Sequence, residues 1–282
     1  MKKIIVYICL IIAAILVLSS CGGPKTVMSV GGYELTEDVD ALFGGDEHLR
    51  AMFLAPYALA EDAGIDVNST EFRDAVSTAL ERVFAADYKA DEEALDDELE
   101  LMGITREVYE KIVEQDTLKE LLYKKLTESG KIETDRDALR EKFLSGEAVR
   151  VKRILVLLSN HDGTEASERI AEAEQKLSVG APFETVMKDY AEYDIAHGDL
   201  GNLGDSYVIV RGNTDAAYEE VCFSLAEGET SAVFDTSAGP CIVKRYPLTS
   251  DDLDALLDEL VTSYCEGQYN MILEEAAGKI GE

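Results

Sequence analysis

The apolar rhythm of this chain changes at Glu147 and changes back at Pro247, and these two switches restrict its folds more than any other feature. From Thr36 to about Leu144 the apolar residues recur at helical spacing. After Asn68 and Ser69 the stripe is Phe72, Val76, Ala79, Leu80, Val83 and Phe84, and a later one is Val108, Ile112, Leu118, Leu121 and Leu122. Gly103 and Gly130 close two of these helices. Beyond Glu147 the run Val149-Arg150-Val151-Lys152-Arg153-Ile154-Leu155-Val156-Leu157-Leu158 is strand-like. A helix with the stripe Ala166, Ile170, Ala173 and Leu177 follows and ends at Gly180; Pro182 starts another, carrying Phe183, Val186, Met187 and Tyr190. Loops, a short helix around Ala216 to Leu225, and strands near Ser231 to Asp235 and Cys241 to Lys244 complete the middle section. After Pro247, Ser250 reads as an N-cap and Asp251 and Asp252 suit the positive end of a helix dipole. Leu253, Leu256, Leu257, Leu260, Val261 and Tyr264 then make one apolar face that must be buried. Strands enclosed between two helical pieces predict an α+β chain, and 282 residues favour two domains over one small core.

The first twenty residues read as a targeting segment. Lys2 and Lys3 form a positive start, and Ile4 to Leu18 form an apolar stretch too short and one-sided to be a comfortable membrane span. The stretch ends Leu18-Ser19-Ser20-Cys21-Gly22, which resembles a bacterial lipobox. A chain beginning at Cys21, acylated on its thiol and tied to the outer face of the cytoplasmic membrane, is the expectation, because two or more acyl chains give stable anchoring. Residues 22–27 read as a tether. Met28 to Leu35 then looks like a brief strand and turn, with Gly31-Gly32 at the turn and Thr36 starting a helix.

Charge removes one class of partner. Lys and Arg number 26 against 57 Asp and Glu, a net charge of −31, whereas binding of nucleic acid phosphates needs the opposite sign. The acidic run Asp91 to Glu100 reads as a solvated helix face, since Ala94, Leu95 and Leu99 still supply an apolar stripe. Of five cysteines, Cys9 and Cys21 belong to the leader and the lipid, which leaves Cys222, Cys241 and Cys265, an odd number that cannot close a disulfide framework. His48, His161 and His197 are scattered and no Cys or His spacing suits zinc, so neither a metal nor any other cofactor is expected. Met52, Phe53, Tyr57, Phe84, Tyr88, Met102, Tyr109 and Tyr123 are candidates for a client groove; helical spacing makes most of them core, and none can be assigned to a groove from sequence.

Between Gly198 and Val243 stand Gly198-Asp199-Leu200-Gly201, Arg211-Gly212, Tyr218-Glu219-Glu220-Val221-Cys222-Phe223-Ser224-Leu225, Glu227-Gly228-Glu229-Thr230-Ser231 and Gly239-Pro240-Cys241-Ile242-Val243. This string resembles the second half of a parvulin-type prolyl isomerase domain, and with the β-α-α-loop-α-β-β order the resemblance covers about Ala148 to Pro247. It implies a small antiparallel sheet wrapped by helices and an activity on Xaa-Pro bonds, whose rotation faces a barrier of about 18–20 kcal/mol. Such a catalyst needs an apolar cup for the proline ring and a shielded polar cluster that favours the twisted amide. The family's cup is a methionine and a phenylalanine in Arg-Gly-x-Met-x-x-x-Phe; here Thr214 replaces the methionine and Tyr218 keeps the aromatic wall, with Phe223 as a third substrate-binding candidate. The resemblance places Arg153 and Cys241 where the family carries its two histidines, and Tyr193 where it carries a cysteine or aspartate. The loop from Tyr193 to Gly198 is shorter than in typical members, so Asp194 is the alternative to Tyr193. A permanent cation at 153 cannot act as a neutral imidazole. Its other reading is an edge arginine paired with an acid, while Cys241 reads more readily as a small buried hydrophobe than as a reactive thiol. His197 reads as a solvent-exposed loop histidine.

Val30-Gly31-Gly32-Tyr33-Glu34-Leu35-Thr36 stands where PrsA- and SurA-type foldases carry a Val-Asn-Gly-x-x-Ile-Thr opening, so this half resembles their N-terminal chaperone domain. The combined expectation is a signal peptide over 1–20, a tether over 21–27, a helical chaperone domain over 28–147, an inserted parvulin-like domain over 148–247, and a C-terminal helix over 248–282 packing on the N-terminal domain. The function implied is that of an extracytoplasmic, lipid-anchored folding factor acting on unfolded or secreted client proteins, with weak isomerase activity. The alternative is a holdase that binds without turnover. A solute-binding lipoprotein is disfavoured because it needs two alternating α/β lobes around a cleft. Self-association as a homodimer stays open.

Overall fold

The computed structural model describes residues 24–192, 206–212 and 214–280; Cys21, Tyr193, Asp194 and His197 lie outside them. The chain divides into two compact units, one made of the residues up to Lys131 together with those from Met271 onward, the other of Ile132–Asn270.

In the first unit, strands β1 (Thr26–Val30) and β2 (Tyr33–Thr36) form an antiparallel hairpin in which Val30 faces Tyr33. Gly31 at its turn has φ +55, and a Cβ there would lie 1.8 Å from the Tyr57 carbonyl oxygen, so only glycine fits. A helical turn at Glu37–Asp40 and a 3-10 turn at Ala41–Phe43 lead into four longer helices: α1 (Glu47–Ala60), α2 (Thr70–Asp87), α3 (Glu92–Met102) and α4 (Arg106–Glu128). Each has a short polar side chain at its N-cap, Asp46, Ser69, Asp91 and Thr105 in turn, accepting a backbone N–H of the first turn. The fully buried Leu35, Leu54, Tyr57 and Leu118 bring the hairpin, α1 and α4 into one core. The acidic run forms α3, with Leu95 and Leu99 buried and Glu92 and Asp96 both on the Arg106 guanidinium at 2.5 and 2.7 Å.

The second unit opens with α5 (Arg136–Lys142) and a π-helical turn, Phe143–Glu147, that leads into β3 (Ala148–Leu155). Then come α6 (Gly163–Ser178), α7 (Phe183–Tyr190), β4 (Tyr207–Val210), α8 (Ala216–Ser224), β5 (Phe234–Thr236) and β6 (Gly239–Tyr246). The sheet is antiparallel throughout in the order β4-β3-β6-β5. Strand alternation sorts its residues: Ile154, Val156 and Ile242 pack beneath α6 and α7, while Val149, Val151, Leu155, Tyr207, Ile209, Cys241 and Val243 pack beneath α8. Gly239, at φ +145, is obligatory at the start of β6, where a Cβ would lie 2.0 Å from the Val156 carbonyl oxygen. β4 corrects the expectation of a loop: Tyr207, Val208, Ile209 and Val210 are all buried and extend the sheet past β3.

The last helix, α9 (Ser250–Ala277), is capped by Thr249 rather than Ser250. The Thr249 hydroxyl accepts the Asp252 N–H at 3.1 Å and the Asp252 carboxylate accepts the Thr249 N–H at 3.3 Å, a reciprocal capping box. The border between the units falls after Lys131 instead of at Glu147, and α9 is divided at Asn270, because α5 is tied to α9. Arg140 grips Asp254 with two bonds of 2.6 and 3.0 Å, Arg136 reaches Asp258 at 2.7 Å, and the Phe143 ring meets Tyr264 edge-on at 5.3 Å. Only the residues from Met271 onward join the first unit.

Candidate functional site

Alternation along β3 places Arg153 between Val151 and Leu155 on the sheet face covered by α8. Its guanidinium carbon lies over the Tyr207 ring, 4.6 Å from the centroid, and 6.0 Å from that of Tyr218. A cation held over ring faces in a partly desolvated place gains on the order of 1–2 kcal/mol, which fixes this side chain more firmly than an ordinary surface arginine. Tyr207 is delivered by β4, where it pairs with Val151. Tyr218 sits in the first turn of α8, which Asp215 starts by accepting the Ala217 and Tyr218 N–H groups at 3.1 Å each. The Tyr218 ring in turn lies 6.1 Å from Phe234 of β5.

Two cysteines complete this core. Cys241, opposite Leu155 on β6, and Cys222, on α8, are both fully buried. Burial pushes the Cys222 thiol up to about 12, against the opposing effects of the Tyr218 hydroxyl and the Arg153 charge. Burial raises Cys241 as well, again against Arg153. The Tyr218 phenol is driven well above its ordinary value by burial and then by the two neighbouring sulfurs. Its hydroxyl stands beside Cys222 without reaching hydrogen-bond geometry. At neutral pH the described site therefore offers neutral thiols, a protonated phenol, aromatic faces and one permanent cation. This chemistry suits binding through apolar and cation–ring contacts, and none of these groups is poised to exchange a proton near neutrality.

The structure brings Arg153, Tyr218 and Cys241 together on one face of the sheet. Phe223 is half-buried against the same core and lies under the Arg211 guanidinium at 3.9 Å. Thr214 is exposed ahead of α8 and adds nothing to the apolar wall, as a hydroxyl in place of a methionine cannot. Tyr193 and Asp194 lie outside the described residues, but Glu192 before them is pinned to the end of β3. Its carboxylate accepts the Leu157 N–H at 3.0 Å, Asn160 Nδ2 at 3.2 Å and His161 Nε2 at 2.7 Å, and its own N–H donates to the Leu155 carbonyl at 2.8 Å. Burial works to raise this carboxyl, yet the bonds from His161, Leu157 and Asn160 hold it below the usual range.

Sequence reasoning missed Tyr207, Cys222 and Phe234 as parts of the site, and the role of Glu192 in holding the chain after α7 to the end of β3. Tyr207 had a signal, the run of aromatic and β-branched residues Tyr207-Val208-Ile209-Val210 ahead of Arg211-Gly212. Among the described residues no group of three His, Cys, Asp or Glu side chains is placed to hold a metal ion, and no helix is long and apolar enough to cross a membrane.

No curated protein matches the chain. Among solved structures it is similar to PrsA from Bacillus subtilis, with 18% identity over 93% of this chain and 94% of that one and a TM-score of 0.31. It is similar to PrsA from Bacillus anthracis, with 16% identity over 83% of this chain and 100% of that one and a TM-score of 0.38. A chain from the SurA-like chaperones PEB4 and Cj1289 of Campylobacter jejuni is 14% identical over 89% of this chain and 93% of its own, with a TM-score of 0.29. Residues 151–246 match the rotamase family model, a PPIC-type PPIase domain, and the chain accordingly carries a parvulin-type domain within its second unit.

Proposed function

We propose that this chain is an extracytoplasmic protein-folding factor, anchored by lipid at Cys21, whose parvulin-type domain binds prolyl segments of unfolded clients and turns them over slowly. The helical unit holds the client while the prolyl bond is presented. The match over residues 151–246 supports the prolyl reading, and the stacking of Arg153 on Tyr207 and Tyr218 carries the prediction of slow turnover. Lowering a barrier of about 18–20 kcal/mol requires differential stabilisation of the twisted amide, about 1.4 kcal/mol for each tenfold in rate. A paired-histidine network supplies this through neutral groups that adjust their hydrogen bonds. Arg153 and Cys241 supply a clamped cation and a buried neutral thiol instead. In this reading Tyr218 and Phe223 form the apolar wall, Thr214 flanks it, and Tyr193 or Asp194 provides the remaining polar group.

A proline-limited refolding assay with the full chain tests the proposal. The slow phase should accelerate by less than about tenfold at equimolar chain, whereas Arg153→His with Cys241→His should quicken it further. A rate enhancement of several hundredfold by the unaltered chain overturns the slow-turnover reading. The holdase reading is favoured by one observation, the burial of Tyr218, which is 6% exposed and so presents little open ring to a proline. Suppression of client aggregation with no change in the slow phase selects it. Anchoring has its own test: Cys21→Ala should release the protein from membranes, and continued sedimentation with them counts against the lipid.

A further inference from the structure

Among the hollows of the first unit, the wide one of about 720 Å³ beside β1 and α1 is bordered by Asp62, Glu275, Lys131 and Lys279, and this mixture of signs selects no partner. A tighter cavity of about 130 Å³ lies between α2, α3 and α4, with walls formed by Val83, Tyr88, Met102, Tyr109 and Ile112. Asp87, Asp116 and Glu120 also line it, with Arg82 as the single lining cation.

We propose that this cavity docks one apolar side chain, aliphatic or aromatic, of an unfolded polypeptide segment in which that residue is flanked by lysine or arginine. The inference rests on the folding-factor reading and names the class of client that the helical unit holds. Size supports it: an apolar cavity of about 150 Å³ stays dry and admits benzene, so the space here suits a phenyl or isobutyl group. Charge supports it as well. Asp87 and Glu120 face one guanidinium, with Asp116 paired to Lys119 at 3.9 Å, and that guanidinium is already committed, with Arg82 Nη2 3.3 and 3.4 Å from the Glu120 oxygens. Both partners are exposed, at 54% and 65%, so the bridge from α2 to α4 is weak and an incoming cation replaces Arg82 on Glu120 at little cost. The net charge of −31 attracts basic segments and repels acidic ones before contact. A third feature is the Tyr109 hydroxyl, which is buried and makes no hydrogen bond among the described residues. A client backbone carbonyl would give it an acceptor.

Fluorescence anisotropy of short labelled peptides with the full chain tests this. A peptide with phenylalanine between lysines should bind at least about tenfold more tightly than one with phenylalanine between glutamates or with lysines alone, and its advantage should shrink as salt rises. Asp87→Asn with Glu120→Gln should remove most of the advantage of the lysine peptide, and Ala79→Leu, which fills the cavity, should weaken both phenylalanine peptides. Should Ala79→Leu lower the thermal midpoint, the exposed Asp87 and Glu120 pair decides. Equal affinity for the basic and acidic peptides, or a basic-peptide affinity that neither variant moves, overturns the proposal. So does concentration-dependent dimerisation abolished by Ala79→Leu, which would assign the cavity to a second copy. Failure of the broader reading is distinct: it shows as an unaltered chain that neither prevents client aggregation nor changes refolding.

Discussion

Burial decides the chemistry of single residues here more than sequence neighbours do. Cys222, Cys241 and Cys265 are all buried thiols outside any disulfide, and the first two are raised by desolvation. An ordinary cysteine near 8.5 reacts readily at pH 8 because a useful fraction is thiolate. We expect a thiol reagent at pH 8 to label none of these three in the native protein within minutes and all three in urea; rapid native labelling of Cys241 would restore the reactive-thiol reading. Gly239 shows the same dependence on surroundings in the backbone. Its φ of +145 is nearly closed to other residues, and the nearby Val156 carbonyl leaves no room for a methyl group. Gly239→Ala should therefore cost at least about 2 kcal/mol in a urea titration.

At the scale of elements, local chemistry is enough to start helices but does not say what they pack against. The Thr249 and Asp252 box starts α9, so Thr249→Ala should lower stability by about 1 kcal/mol, while Ser250→Ala, which removes only an exposed acceptor of Arg140, should lower the urea midpoint less. At the end of α2 the chain passes through Lys89 and Ala90 with φ of 53 and 58, the two non-glycine residues with positive φ among those described. The left-handed cost of about 1–2 kcal/mol exceeds the entropy penalty of glycine, so Ala90→Gly should stabilise by roughly 0.5–1 kcal/mol. The helices of the first unit, the strands β3 and β6, and the wrapping helices of the second were legible because apolar period and cap residues report on the element that contains them. β4 was read as loop because four buried residues in a row show no alternation, although their β-branched and aromatic types are themselves a strand signal. Nor was the docking of α5 on α9. It depends on Arg136 and Arg140 meeting Asp258 and Asp254 across more than a hundred positions, and no local pattern records that. Of the candidate site, Arg153, Tyr218 and Cys241 were named from the family pattern and lie on one side of the sheet, but the partners that fix them, Tyr207 and Phe234, arrive through tertiary pairing alone.

For the whole molecule, two opposed effects of charge set the dependence on pH. With a net charge of −31, general self-repulsion weakens the folded state at pH 7 and is relieved as carboxylates take up protons. Asp116 adds to that gain: burial outweighs the Lys119 charge and raises its carboxyl, so the folded state binds this proton before the unfolded chain does, and stability rises as pH falls toward about 4. Asp252, held down chiefly by the Thr249 hydroxyl, Glu184, held down chiefly by the Tyr246 hydroxyl, and Glu192 act in the other direction. Their unfolded counterparts titrate near 4, so their contribution is complete above that pH and is lost as pH falls through their lower folded values. Stability should accordingly hold or rise from pH 7 to about 5 and fall steeply below about 4, as read from urea midpoints. Raising salt at pH 7 should shift the midpoint upward, because screening removes diffuse repulsion while exposed pairs such as Arg82 with Glu120 contribute little that salt could take away. Glu192→Gln should flatten the acid limb and lower stability at pH 7 by about 1.5–3 kcal/mol, since the Leu157 N–H and His161 lose a charged acceptor. A midpoint that falls steadily from pH 7 downward would show that specific carboxylate bonds, rather than net charge, dominate across the whole range.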